Sequence, residues 1–174
     1  MLQRIAFVLI LSVLLLGGDH YVIWSADRKL TWEDFEGPVD EESSYAAHTW
    51  SKISLGWDCD GDVFTFTAVA KFDKEQSWRK DNITEHLLSH EQLHFDITEV
   101  YARRMRKHFS AVNNGCNLSN DEVEEQFNAI LDEWRLRQKL YDKETSHSKN
   151  KPEQTRWEQL IQAELKSLSK YAVS

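Results

Sequence analysis

Asn82-Ile83-Thr84-Glu85-His86-Leu87-Leu88-Ser89-His90-Glu91-Gln92-Leu93-His94-Phe95-Asp96-Ile97 is the stretch on which the reading of this chain turns. Ile83, Leu87, Leu88 and Ile97 recur at helical spacing, and Asn82 with Glu85 three residues later has the form of a capping box. A helix is therefore expected from Asn82 to about Val112, stopped by Asn113-Asn114-Gly115. Residues four apart on a helix share a face with one turn between them, so His90 and His94 can turn both imidazoles toward one ion. Glu91 lies beside them, able to take a proton from a metal-bound water. This is the H-E-x-x-H arrangement in which zinc acidifies water and polarises a carbonyl. Its chance expectation in this chain is roughly 0.03 occurrences, so the signal is specific. His86 and His90 are an alternative pair, but only His90 and His94 have the glutamate in the right place. His108 shares the face yet lies about 20 Å further along by helical rise.

A catalytic zinc of this kind takes three protein ligands and keeps a fourth position for water. Ser119 with Glu122 opens a second helix as a capping box, expected to reach about Leu140. If the two helices are antiparallel, the second returns to the level of His94 near Tyr141-Asp142-Lys143-Glu144-Thr145-Ser146-His147. His147 is the expected third ligand, carried on a loop that curls over the site, with Asp142 and Glu144 as competitors. A carboxylate there that is not a ligand is expected to orient a histidine through its second ring nitrogen. Asn150 with Pro152 and Glu153 starts a third helix that ends near the C-terminus. The basic run Arg103-Arg104-Arg106-Lys107 is expected to face Asp121-Glu122-Glu124-Glu125 across the helix pair rather than to bind an anion.

Before Asn82 the pattern changes to strands and turns. Val63-Phe64-Thr65-Phe66-Thr67-Ala68-Val69-Ala70-Lys71-Phe72 alternates with β-favouring residues, and 49–57 is the expected partner of a hairpin, with the turn at Asp58-Cys59-Asp60-Gly61-Asp62. The expected fold class is α+β: a small N-terminal antiparallel sheet followed by a helical body that carries the zinc helix.

Ile5 to Leu16 is apolar except for Ser12, behind a positive start at Arg4. About a dozen apolar residues are short for a membrane span of roughly 20, and fit the core of a secretory signal. Residues 1–18 are thus read as a signal peptide or N-terminal anchor, and residues 19–174 as one domain of an exported, periplasmic or secreted protein. The membrane enters only through that segment, if it is retained. In an oxidising compartment Cys59 and Cys116, the two cysteines of the chain, are expected to be bonded. A net charge of −8 argues against nucleic acid as a partner, because phosphate binding needs a basic face.

His90-Glu91-Gln92-Leu93-His94-Phe95-Asp96-Ile97, followed by Tyr101-Ala102-Arg103-Arg104, resembles the bacterial family known as domain of unknown function 922, described as secreted zinc-dependent proteases. Leu30-Thr31-Trp32-Glu33-Asp34-Phe35-Glu36-Gly37, Ser77-Trp78, the segment 141–148, and Gln154 with Trp157 are similar to other landmarks of that family. Leu93 departs from it, standing where glycine is expected. The resemblance implies a zincin-like metallopeptidase: a hydrolase of peptide or protein substrates, with Zn2+ as cofactor. In that reading His90, His94 and His147 hold zinc, and Glu91 is general base and then proton donor; Tyr141 stabilises the oxyanion and Tyr101 shapes the face below the metal, unless both are core tyrosines with no such role. An edge of the hairpin containing 63–72 is expected to hold an extended substrate by strand addition. The competing reading is a zinc-stabilised, non-catalytic binding or structural module of the cell envelope, with the metal closed by a fourth protein ligand.

Overall fold

The computed structural model describes residues 20–81 and 83–173. The signal segment, and Asn82 as a helix cap, lie outside the described residues. The chain forms β1 (Tyr21–Ile23), β2 (Ala47–His48), β3 (Ser51–Asp60), β4 (Val63–Asp73), β5 (Trp78–Arg79), then α1 (Glu85–Ser110), α2 (Asn120–Thr145) and α3 (Lys151–Ser167). Antiparallel pairing orders three strands β1-β4-β3, and β2 pairs with β5 in a separate two-stranded ribbon. The expected α+β fold, strands first and helices after, is the one formed.

The hairpin is longer than its sequence suggests. Asp58, Cys59 and Asp60 continue β3, opposite Thr65, Phe64 and Val63, so the turn shrinks to Gly61 and Asp62. Gly61 sits at φ +58°, a left-handed conformation that a residue without Cβ adopts freely. Alternation along β4 turns Phe66, Ala68, Ala70 and Phe72 toward α1, where Phe66 stacks on Phe109 at 3.8 Å. The small alanines let the helix come close, and Phe72 meets Phe95 at its other end.

α1 is the axis of the molecule. Apart from half-buried His94, every residue from His90 to Arg103 is buried. On one side Phe95, Ala102 and Met105 pack against the sheet; on the other Leu93, Ile97 and Val100 pack with Tyr141, Trp157 and Ile161 of α2 and α3. Leu93 fills that second core, so its bulk tightens the helix packing without entering the site. The N-cap is Thr84, whose hydroxyl accepts from the Leu87 amide, two residues later than the expected cap. α1 ends at Ser110, and Gly115 has a different reason from the one its position suggests: a Cβ there would lie 2.4 Å from the Phe64 ring. The disulfide Cys59–Cys116 fastens this α1–α2 connection to the hairpin tip.

Ser119 and Glu122 form the expected capping box, and Asn150 caps α3 through the Glu153 amide. The one large departure is the end of α2, which runs to Thr145 rather than Leu140. Tyr141 and Thr145 are its fully buried positions, packed under α3, so tertiary burial carries the helix through a stretch whose polarity reads as a frayed end. Ser146, His147 and Ser148 then follow at φ 50°, 51° and 70°, three left-handed residues that reverse the chain into α3.

The basic run pairs differently from expectation. Arg103 and Arg106 both grip Glu99 on their own helix, at 2.8 and 2.7 Å, and Arg104 reaches Glu164 of α3. The acidic start of α2 is not their partner, because α3, not that turn, covers this face of α1.

Candidate metal centre

His90 and His94 project from α1 one turn apart, with ring centroids 4.8 Å apart and planes at 86°. Their Nε2 atoms lie 3.2 and 3.1 Å from one oxygen, Oδ1 of Asp142, on the last turns of α2. One donor atom from each of these residues falls within 4.8 Å of the others, a group able to hold a metal ion. Asp142 thus stands where His147 was expected. The physical reason is the length of α2: five further helical residues bring Asp142 round to face α1, and they leave His147 beyond the helix end. Its Nδ1 lies 3.3 Å from the same Asp142 oxygen, with 43% of the side chain exposed, outside the compact triad. Glu144 is turned away and accepts from Trp157 Nε1 at 2.8 Å.

The other ring nitrogens are held from behind. His90 Nδ1 is 3.0 Å from Gln154 Oε1 on α3, and His94 Nδ1 is 2.7 Å from Gln138 Oε1 on α2. With both Nδ1 atoms so occupied, two Nε2 atoms and a carboxylate remain aimed at one point, and the cleft lies in front of them. Three protein donors with one open side leave a position at which a metal ion could take a further ligand such as water. Two imidazoles and a carboxylate suit several divalent metals, so the donor set alone does not select zinc.

Charge follows the same geometry. Burial alone would raise the Asp142 pKa, but hydrogen bonds from His90 and His94, and their charge, hold it far below the ordinary carboxylate range. Burial would lower His94, yet the hydrogen bond and charge of Asp142 outweigh it and raise the pKa above its usual 6.5. Such mutual stabilisation of a carboxylate and imidazolium is the pairing that a divalent cation replaces.

Glu91 is 4% exposed, and among the described residues no donor reaches its carboxylate. It borders the cleft, an open space of about 1160 Å3 walled by the segment 44–51 on one side and by α2 and the 147–149 loop on the other. Thr49 Oγ1 donates to the Glu91 carbonyl at 3.3 Å and ties the first wall to α1. His48, on β2, also borders the cleft; protein around it lowers its pKa, against the opposing charge of Glu91. Nothing near His48 in the chain carries a metal or catalytic pattern, so only the fold brings it to the cleft.

Two expected site residues lie elsewhere. Tyr141 is fully buried behind His90, its ring stacked on the imidazole at 4.6 Å and its hydroxyl donating to Gln154 Oε1 at 2.7 Å. It does not border the cleft, so an oxyanion role has no geometric basis. Burial pushes its pKa up and keeps it a donor. Tyr101 is buried in the second core beneath Arg104, away from the cleft. His86 neighbours the site indirectly, with Nε2 2.7 Å from the Ser148 carbonyl, and braces the left-handed turn that carries His147.

A family model described as "Bacterial protein of unknown function (DUF922)" matches residues 34–148. The chain belongs to the DUF922 family. No curated protein and no solved structure matches it. The span shared with DUF922 contains His90, Glu91, His94, Asp142 and His147, and both cysteines. It stops short of α3, and so of Gln154. The disulfide is consistent with an extracellular location, and among the described residues no helix is long and apolar enough to cross a membrane.

Proposed function

We propose that this protein is an exported zinc-dependent hydrolase that cleaves peptide bonds. The observation that carries the reading is Glu91: a largely buried residue whose carboxylate has no hydrogen-bond partner among the described residues, beside three converging donors, at the edge of an open cleft. A carboxylate that opens onto a cleft and is claimed by no donor of the protein is free to accept a proton there. His90, His94 and Asp142 would hold the metal, which when bound acidifies a water and polarises a carbonyl oxygen.

Glu91 then takes the proton of the attacking water and later returns it to the leaving amine. Gln138 and Gln154 keep the two imidazoles aimed. The cleft wall 44–51 is the candidate docking strand, since β2 pairs with β5 along one edge only and the segment borders the cleft. In the expected hairpin the 63–72 strand is central, flanked by β1 and β3, so the edge that hairpin offers is that of β3. Tyr45 and Trp50 of that wall are exposed aromatics suited to apolar side chains of an extended peptide.

The alternative, a non-catalytic zinc-stabilised module, is favoured by a single observation: His147 is near enough to Asp142 to close the fourth position after a modest loop shift. Incubating the zinc-loaded protein with a peptide library, beside its Glu91→Gln variant, separates the two. Cleavage that vanishes in the variant while zinc stays bound supports the hydrolase. Cleavage by neither, with zinc held at one equivalent and four protein ligands by X-ray absorption, establishes the structural module.

A further inference from the structure

α3 contributes no side chain to the cleft wall among the described residues, yet it buries one polar group directly behind the site. Gln154 is 1% exposed. Its Oε1 receives two donors, the Tyr141 hydroxyl at 2.7 Å and His90 Nδ1 at 3.0 Å, while its Nε2 donates to Glu158 Oε1 at 3.0 Å. The amide orientation is fixed by that last bond: turned over, the carbonyl oxygen would face the Glu158 carboxylate, acceptor against acceptor. With Oε1 so directed, His90 Nδ1 must carry its proton, because an oxygen accepts and cannot donate.

The second histidine is held in the same manner from another helix. Gln138 Nε2 donates to the His94 carbonyl at 2.9 Å and to Thr98 Oγ1 at 3.2 Å, so its Oε1 faces His94 Nδ1 at 2.7 Å. Two amides, each pinned through its NH2 group, therefore impose one tautomer on two rings.

We propose that Gln154 and Gln138 are positioning residues that lock both ligand imidazoles as Nδ1–H tautomers, aiming two Nε2 lone pairs at a divalent metal. The proposal rests on the reading of His90, His94 and Asp142 as a metal centre. Neutral amides do this without adding negative charge behind the rings. Asp142 is then the one anionic ligand against a doubly charged ion, so the ion and its three ligands together keep one positive charge for polarising a carbonyl. Carboxylates in both places would cancel that charge. The inference also assigns a task to α3, which lies beyond the span shared with DUF922: without it, His90 has neither its amide acceptor nor the Tyr141–Gln154 bond that braces the stack.

Zinc affinity of the full chain, measured by competition with a chromophoric chelator, is the test. The unsubstituted protein should bind one equivalent; no binding would overturn the metal centre and this proposal with it. Gln154→Leu should weaken zinc affinity about 10- to 100-fold, the usual cost of an outer-shell partner. Exchanging the pair, Gln154→Glu with Glu158→Gln, keeps an acceptor toward His90 and a donor across to residue 154, and should restore affinity to within about threefold. Cobalt in place of zinc should lose its intense tetrahedral visible band in Gln154→Leu and regain it in the exchanged pair. Should Gln154→Leu fail to fold, Gln138→Met on half-buried α2 tests the same lock on His94. Substitutions that lower the melting point of the metal-free protein but leave zinc affinity and the cobalt band unchanged would overturn the proposal, reducing both glutamines to packing.

Discussion

Glu91 and Glu99 stand two turns apart on α1, about 12 Å by helical rise, and are buried to the same degree, 4% and 2% exposed. Their surroundings are opposite. Glu99 is gripped by Arg103 at 2.8 Å and Arg106 at 2.7 Å, and Arg103 goes on to the Leu165 carbonyl. Glu91 has no donor among the described residues and looks into the cleft. The same residue type, on the same helix at the same depth, is held by matched charge in one place and left facing an open cleft in the other. Burial alone distinguishes nothing; the partners do.

The sharpest way to break the comparison is to neutralise each glutamate. Glu91→Gln should lower peptide hydrolysis by about 10²- to 10⁴-fold with zinc retained, since only a proton acceptor is removed. Glu99→Gln should leave turnover per folded molecule unchanged and destabilise the fold by about 3 kcal/mol, because buried Arg103 and half-buried Arg106 lose their anion. Denaturant titration of both variants reads the difference, and equal destabilisation by the two would erase the contrast.

Next in size is the disulfide, at the hairpin end far from the metal donors. It closes a loop of sequence separation 57, for which loop entropy predicts about 4 kcal/mol of stability. Cys59→Ser with Cys116→Ser should lower the unfolding free energy by that order while zinc affinity stays constant. A fall in zinc affinity would mean the two ends of α1 are coupled.

Within the site, Asp142→Asn should cost about 100-fold or more in zinc affinity and His147→Ala less than about tenfold, as fits an inner ligand and a neighbour. Metal analysis of the two purified proteins decides between them. The reverse result would restore His147 as the ligand and make Asp142 its support.

The smallest effect is that of pH. The raised His94 pKa contributes stability that is complete below the unfolded value of 6.5 and disappears as pH rises through the folded value. The depressed Asp142 pKa contributes stability that is complete above 3.8 and is lost as pH falls through its folded value. The metal-free protein should therefore draw most from this pair between those limits. Zinc competes with the His94 proton, so its affinity should climb about tenfold per pH unit until His94 is deprotonated, then level off. Chelator competition across that range measures it, and a flat profile would exclude His94 as a ligand.

Legibility in the sequence divided along the same lines. The helix carrying His90, Glu91 and His94, the capping box at Ser119 and the cap at Asn150 were readable because each depends on neighbours within four residues. The hairpin was readable from alternation, though its turn was not, since Asp58, Cys59 and Asp60 look like turn residues until Val63, Phe64 and Thr65 pair with them. The place of Tyr141 is not legible in the sequence, because a tyrosine near a metal motif can be electrophile or core; its burial and its bond to Gln154 put it in the core.

By itself, the sequence determined the α+β order, the cysteine pair and the turn of α1 that sets His90 and His94 on one face, because helical spacing and strand alternation are local periodicities. Only the tertiary structure decided that Asp142 completes the donor set, that His48 joins the cleft, and that two glutamines stand behind the histidines. Each of these depends on where α2 stops and how α3 covers it. Those are outcomes of packing Tyr141, Thr145, Trp157 and Ile161 around α1, between residues about fifty positions apart, which no window along the chain contains.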